Sequence, residues 1–116
     1  MPRSKSQTNA RTVALERARA RSSEANAARD AAKALTRVAD ALTRLSVASG
    51  KQAALSENRE ADYLTLESQL AGREANSAQG LCRALLRQAE RAAAQSVSLR
   101  AKARSSKARV RRAPQR

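Results

Sequence analysis

Alanine constrains this chain more than any other residue type, because it supplies 28 of the 116 positions. Together with Arg, Leu, Glu and Gln it makes a sequence of strong helix formers, interrupted by only 2 Pro and 3 Gly. Leu, Val, Ile and Phe contribute 17 residues in total, so any core is poor in bulky side chains. We therefore predict an all-α fold, in which two or three long Ala/Arg-rich helices form an antiparallel hairpin or coiled-coil-like assembly with frayed basic termini.

The residue types that carry most protein chemistry are scarce. The chain has no His, Trp or Phe, and it has one Tyr and one Cys. This composition excludes zinc fingers, Cys/His nucleophile pairs and the Ser-His-Asp triad, and it argues against modules that stack bases on aromatic side chains. We expect no enzymatic activity, cofactor, metal or small-molecule substrate, and we interpret Cys82 as a small residue at an apolar position.

The sequence also bears on localisation. No stretch approaches the roughly 18 apolar residues of a membrane span, and no apolar segment follows the basic start as it does in a secretory signal. A lone cysteine fits a reducing compartment. We expect an intracellular protein, in the cytoplasm or with nucleic acid in a nucleoid or nucleus, and no membrane partner.

The charge is distributed in three blocks that we take as the organisation of the chain. Residues 1–23 form a basic N-terminal arm with six basic residues and one acid, a net of +5. Residues 24–80 form a helical body with seven basic and eight acidic residues, a net of −1. Residues 81–116 form a basic helix and C-terminal tail with eleven basic residues and one acid, a net of +10. Such block asymmetry is typical of arms that bind a polyanion.

The best candidate for a turn lies at residues 47–51. Gly50 can adopt the left-handed conformation that ends a helix, and Ser49 with Gln52 three residues later fits a capping box for the next helix. An N-cap at Thr8 or Thr12 would begin the first helix. Further along, Gly72 and Gly80 leave open whether residues 51–105 form one helix or two.

An apolar stripe runs through the neutral body. Positions 28, 31, 35, 38, 42 and 45 are separated alternately by three and four residues, as in the a/d seam of a coiled coil. The second helix continues the pattern more weakly. The stripe fits internal packing or a dimer interface, and we favour a homo-oligomer because one hairpin buries little surface. The residues assigned to self-association are Leu35, Val38, Leu42, Leu45, Tyr63, Leu66 and Leu70.

The basic arms predict contacts with phosphate. Like charges at helical spacing repel one another, and a polyanion removes that cost. Nucleic acid is the favoured polyanion, because binding gains from counterion release and Arg donates bidentate hydrogen bonds to phosphate. The residues assigned to nucleic-acid binding are Arg83, Arg87, Arg91, Arg100, Lys102, Arg104, Lys107, Arg109, Arg111, Arg112, Arg116, Arg17, Arg19 and Arg21.

One short segment of the N-terminal arm resembles a known motif. Residues 9–21 carry Arg11, Arg17, Arg19 and Arg21, and the run is similar to the arginine-rich RNA-hairpin helix of phage antitermination proteins. The resemblance covers these 13 residues, and it departs from the motif at 13–15, where Val-Ala-Leu stands in place of basic residues. The Ala/Arg-rich helical composition as a whole is similar to small accessory proteins of high-GC bacterial plasmids and phages.

Two functions of different classes follow from these patterns. The first is a small basic helical protein that binds DNA or RNA through its arms, largely without sequence preference. The second is a helical structural, scaffolding or adaptor subunit whose basic tail docks on an acidic protein partner. The sequence leaves open both the choice between them and the choice between DNA and RNA.

Overall fold

The computed structural model describes the backbone of residues 2–112 and the side chains of residues 9–105. Within this range the chain forms two α-helices and no strand: α1 spans Pro2–Leu55 and α2 spans Asn58–Arg112. The helices pack against each other as an antiparallel hairpin, which confirms the predicted all-α fold. Their contacts define two compact units, which we call unit 1 (Met1–Ala28 with Arg87–Arg116) and unit 2 (Arg29–Leu86).

Both helices are longer than the sequence signals suggested. α1 begins at Pro2, ahead of Thr8 and Thr12, and proline is well suited to a first helical position because its φ is already helical. α2 is continuous from Asn58 to Arg112, so Gly72 and Gly80 lie inside one helix. An interior glycine costs only about 1 kcal/mol relative to alanine, which the surrounding helix formers offset.

The turn lies at residues 56–57, so the prediction of a turn at 47–51 is wrong. The hydroxyl of Ser56 donates to the carbonyl of Gln52 (2.8 Å), and its amide donates to the carbonyl of Ala53 (3.2 Å), which satisfies two groups at the end of α1. Asn58 then reverses the chain with φ of 57°, a left-handed conformation that asparagine tolerates better than most residues.

Gly50 serves packing between helices instead of ending one. It lies inside α1, and a Cβ at this position would come within 3.3 Å of the Ser68 hydroxyl on α2. Ser49, predicted to cap a second helix, is buried. Because Gly50 has no side chain, α2 can approach α1 closely at this position. The glycine that predicts the end of a helix is instead a packing residue between two helices.

Small residues form the contact between the helices in unit 2. Ser46 and Ser68 each donate their hydroxyl to the other's backbone carbonyl, at 2.8 and 2.6 Å. Fourteen residues away on each helix, the Cys82 thiol donates to the carbonyl of Ala32 at 3.4 Å. Side chain to backbone bonds of this length across a helix pair require close axes, which small residues such as Ala, Ser, Cys and Gly permit.

The same register pairs large side chains with small ones. Counting from the Ser46–Ser68 pair, Leu64 falls opposite Gly50, which is next to Ser49. Leu64 and Ser49 are both buried. Alternation of bulky and small residues lets two alanine-rich helices interdigitate, and this compensates in part for the small area that each alanine buries.

Unit 1 follows the same principle with a different polar contact. The buried Ser96 hydroxyl donates to the carbonyl of Ala18 at 2.9 Å, and it lies 2.8 Å from the hydroxyl of Ser22. The remaining buried positions that line the two helices of this unit are small, apart from one leucine; they are Ala18, Ala25, Ala28, Ala89, Ala92, Leu99 and Ala103.

The predicted leucine stripe is not the seam of this hairpin. Ala28 is buried and Leu35 and Leu42 are half-buried, but Val38 is 48% exposed and Leu45 is 43% exposed. The buried set in α1 instead includes Ala32 and Ala39, one position away from the predicted stripe. Close helix approach selects the smallest side chains for the seam, so the larger ones lie along its edge.

Candidate nucleic-acid interface

The fold brings the basic N-terminal arm and residues 87–116 of the basic C-terminal block together in unit 1. This unit contains sixteen Lys and Arg residues and three acidic residues, a net charge of +13. Unit 2 contains eight basic and seven acidic residues, a net charge of +1. The arms are separated in sequence by the whole neutral body, and the antiparallel packing of α1 and α2 makes them one surface.

A groove of about 410 Å³ lies on unit 1 between the two helices. Three guanidinium groups surround it, one from α1 and two from α2, and the floor is apolar. The residues that line it are Arg11, Leu15, Val97, Arg100, Ala103 and Arg104. The combination of cations over an apolar floor suits a chain of phosphates joined by less polar groups, because each Arg can donate two parallel hydrogen bonds to a phosphate.

A second groove of about 190 Å³ also lies on unit 1 and is more polar. It combines two Arg residues of α1 with a Lys of α2, together with an amide and a hydroxyl that can donate to phosphate oxygens. Its lining residues are Arg17, Arg21, Gln95, Ser98, Leu99 and Lys102. The two grooves therefore use cations from both predicted arms.

One cation of the second groove is partly neutralised within the chain. Arg21 and Glu24 form an ion pair at 2.8 Å, and Gln88 of α2 donates to the same carboxylate at 3.2 Å. The hydrogen bond from Arg21, followed by that from Gln88, holds the pKa of the Glu24 carboxyl below its ordinary value. In the part of unit 1 whose side chains are described, this is the one ion pair between residues of the unit. The other cations there are not neutralised by a carboxylate of that unit.

Arg100 is the best-positioned cation of the first groove. Its guanidinium donates to the Ser22 hydroxyl at 3.3 Å across the helix pair. Ser22 in turn shares a hydrogen bond with the buried Ser96. A serine hydroxyl carries no charge, so this contact restrains the side chain while leaving its positive charge available to an anion.

The remaining predicted nucleic-acid residues divide by unit. Arg19, Arg87 and Arg91 are exposed in unit 1, whereas Arg83 is exposed in unit 2. The side chains of Lys107, Arg109, Arg111 and Arg112 lie outside the described range, although α2 continues through their backbone. Arg116 lies outside the described residues altogether.

Arg11 is the groove cation that sequence reasoning left out of the binding set. It belongs to the basic N-terminal arm, but nothing in the sequence distinguishes it from other arginines of that arm. Its place beside Arg100 and Arg104 depends on the register of α1 against α2, which the misplaced turn had obscured. Once the turn is known to lie at residues 56–57, counting outwards along the two antiparallel helices places Arg11 close to Ala103.

The residues predicted for self-association all lie in unit 2, and most are exposed. Tyr63, Leu66 and Leu70 of α2 are 68%, 54% and 48% exposed, and with Leu45 of α1 they line a groove of about 210 Å³. Leu35 and Leu42 are half-buried. The apolar surface and the strongly basic surface therefore belong to different units.

Other kinds of site find little support in the described part of the chain. No group of three or more His, Cys, Asp or Glu side chains there could hold a metal ion. The Cys82 thiol is half-buried and lies 3.3 Å from the Thr36 hydroxyl. Within the described residues, neither helix has an apolar stretch that is long enough to cross a membrane. No protein-family model, curated protein or solved structure matches this chain.

Proposed function

We propose that this protein binds nucleic acid through unit 1, largely without sequence preference, by contacts from Arg and Lys to phosphates. The observation that carries the proposal is the concentration of a +13 net charge in the one unit where the two arms meet. Binding of this kind would be intracellular, in the cytoplasm or with nucleic acid in a nucleoid or nucleus.

Arrangement and charge both support phosphates as the ligand. The first groove brings Arg11, Arg100 and Arg104 around an apolar floor, and none of the three has a carboxylate partner among the side chains of unit 1 that the structure describes. Keeping such cations close together is costly in the free protein and is relieved when a polyanion binds. Release of counterions from the nucleic acid adds a favourable entropy that does not depend on base sequence.

The composition supports binding without strong sequence preference. The single aromatic residue, Tyr63, belongs to unit 2, so unit 1 has no aromatic side chain on which a base could stack. The arginines of unit 1 could also donate two hydrogen bonds to a guanine base. Phosphates, however, are accessible at every position of a strand whatever its base sequence. We therefore expect similar affinities for unrelated sequences.

A titration of fluorescently labelled nucleic acid tests this function. Full-length protein is added to duplex DNA and to single-stranded RNA, each in two unrelated sequences, over a series of salt concentrations. We expect log K to fall linearly with log salt, by about 0.9 for each phosphate contacted on duplex DNA. The preferred polymer then distinguishes DNA from RNA. Absence of binding at low salt, or binding to only one of two unrelated sequences, would contradict the proposal.

The alternative is a scaffolding or adaptor subunit whose basic tail docks on an acidic protein. The observation that favours it is the exposed apolar surface of unit 2, which is typical of proteins that assemble. The same titration with polyglutamate of matched length discriminates between the two. Equal binding of polyglutamate and nucleic acid would favour the alternative, because a carboxylate chain offers charge without phosphate geometry.

A further inference from the structure

The exposed face of α2 carries a short apolar stripe that the hairpin does not use. Tyr63, Leu66 and Leu70 are three and four residues apart, so they lie on one side of the helix. Each is about half exposed or more, at 68%, 54% and 48%. Leucine and tyrosine are bulky residues of this chain, and the buried seam between the helices is mostly alanine, with Leu64 and Leu99 as its buried leucines.

Residues of α1 and the rest of α2 widen the stripe into a surface. Leu45 lies across the groove from it, Val38 is one heptad before Leu45, and Leu81 is one heptad after the groove residue Glu74. Val38 and Leu81 are 48% and 58% exposed. Six such side chains, each presenting on the order of 100 Å², offer roughly 600 Å², close to the roughly 800 Å² that one partner contributes to a standard interface.

Charged residues bracket the stripe in a self-complementary order. Arg59 and Glu60 precede it, and Arg73 and Glu74 follow it at the same distance. All four are exposed, and among residues 9–105, whose side chains are described, none of the four makes a hydrogen bond or ion pair. In an antiparallel pair of α2 helices, Arg59 falls opposite Glu74 of the second copy, and Glu60 falls opposite Arg73 of the second copy.

We propose that two copies of this chain associate through this surface, with their α2 helices antiparallel and related by a two-fold axis near Leu66. The axis places Tyr63 of one copy against Leu70 of the other, twice. A parallel arrangement would instead set Arg59 against Arg59 and Glu74 against Glu74, where like charges repel. The order of the charges along α2 therefore favours a second copy of this chain as the partner. It also favours the antiparallel orientation of the two α2 helices over the parallel one.

The proposal is independent of nucleic-acid binding and is tested in its absence. Nuclease-treated full-length protein is examined by sedimentation equilibrium over a wide concentration range. We expect a monomer–dimer equilibrium. Because Tyr63 is the only Tyr and the chain has no Trp, its fluorescence reports on this surface alone, and we expect acrylamide quenching to fall as the dimer forms. A monomer at every concentration, or an oligomer in which Tyr63 remains as accessible as in the monomer, would overturn the proposal.

A charge exchange tests the antiparallel pairing itself. Arg59→Glu alone and Glu74→Arg alone each create two repulsive contacts, and we expect the dimer dissociation constant to rise by roughly tenfold in each. The double variant R59E/E74R exchanges the two charges and restores both attractive pairs, so its dissociation constant should return to near the original. A double variant as weak as either single one would rule out this arrangement.

The apolar part of the surface is tested with a matched control. Leu66→Ser with Leu70→Ser removes the centre of the stripe, and we expect loss of the dimer with helix content unchanged by circular dichroism. Val97→Ser makes a similar change at a residue of unit 1 that is 64% exposed, and dimerisation should be unaffected. Equal loss of dimer in both variants would contradict the assignment of the dimer interface to this surface. If L66S/L70S does not fold, the R59E/E74R charge exchange tests the same interface.

Discussion

At the scale of single residues, the stability of this hairpin depends on small side chains at the contact between its two helices. Ala32 accepts a hydrogen bond from the Cys82 thiol through its carbonyl, and Ser46 and Ser68 exchange hydrogen bonds with each other's backbone. Each contact requires that the side chain between the helices be no larger than a few atoms. A larger apolar residue at one of these small positions should therefore weaken the packing between the helices instead of strengthening it.

Enlarging a seam alanine should destabilise the protein. We expect Ala32→Leu to lower the free energy of unfolding by about 1–3 kcal/mol, because the added methyl groups force the helices apart and break the bond from Cys82. Ala34→Leu, at an exposed position of the same helix, should leave stability nearly unchanged. Urea unfolding followed by circular dichroism measures both, and equal effects would contradict the packing described above.

The Glu24 carboxyl should make stability depend on pH. Its pKa is below the ordinary value of 4.5 in the folded protein, so its contribution is fully present above the unfolded pKa and is lost as the pH falls through the folded pKa. We expect the stability difference between the original protein and E24Q to shrink as the solution is acidified below about pH 4.5. An NMR titration of Glu24 gives its pKa directly, and a pKa at or above the ordinary value would contradict the contact with Arg21.

At the scale of the elements, the helices were predictable and their pairing was not. Alanine-rich composition with few Gly and Pro predicts helix over nearly the whole chain. The turn was misplaced because Gly50 carries a strong stop signal, whereas the actual turn uses Ser56 and the left-handed Asn58. The predicted seam lies one position away from the observed one, because the prediction follows the spacing of Leu and Val. In the structure the closely packed positions of α1 are occupied mainly by Ala.

The glycines of α2 and α1 should respond differently to the same substitution. Gly80 lies inside α2, and apart from its chain neighbours and the adjoining backbone of its own helix no atom lies within 4 Å of an added Cβ, so Gly80→Ala should stabilise the protein by about 0.5–1 kcal/mol through helix propensity. Gly50→Ala should gain less or lose stability, because its Cβ would be 3.3 Å from the Ser68 hydroxyl, which is held by its own hydrogen bond. Thermal unfolding of the two variants tests the difference, and an equal gain would mean that Gly50 is not a packing residue.

At the scale of the whole molecule, the chain divides its chemistry between two units. Unit 1 carries a net charge of +13, and unit 2 is nearly neutral and presents most of the exposed bulky apolar side chains among the described residues. The sequence predicted the basic arms and most of the cations that line the grooves. It could not predict that Arg11 meets Arg100 and Arg104, because that meeting depends on the register of two helices joined by an unrecognised turn.

If unit 1 binds nucleic acid as we propose, the position of the cations in that unit, and not the net charge of the chain alone, should determine the affinity. The measurement that tests it most directly compares two triple variants of equal net charge by fluorescence anisotropy with labelled duplex DNA. One variant replaces the first-groove cations Arg11, Arg100 and Arg104 by Gln. The other replaces exposed cations of unit 2 by Gln at Lys33, Arg37 and Arg44.

We predict that the groove variant loses roughly a hundredfold in affinity at low salt and that its salt slope falls by about 0.9 for each phosphate contact removed. The unit 2 variant should change affinity by only a few-fold, through the shared loss of net charge. Equal loss of affinity in the two variants would contradict the account, because binding would then follow the total charge of the chain and not the surface that the hairpin assembles.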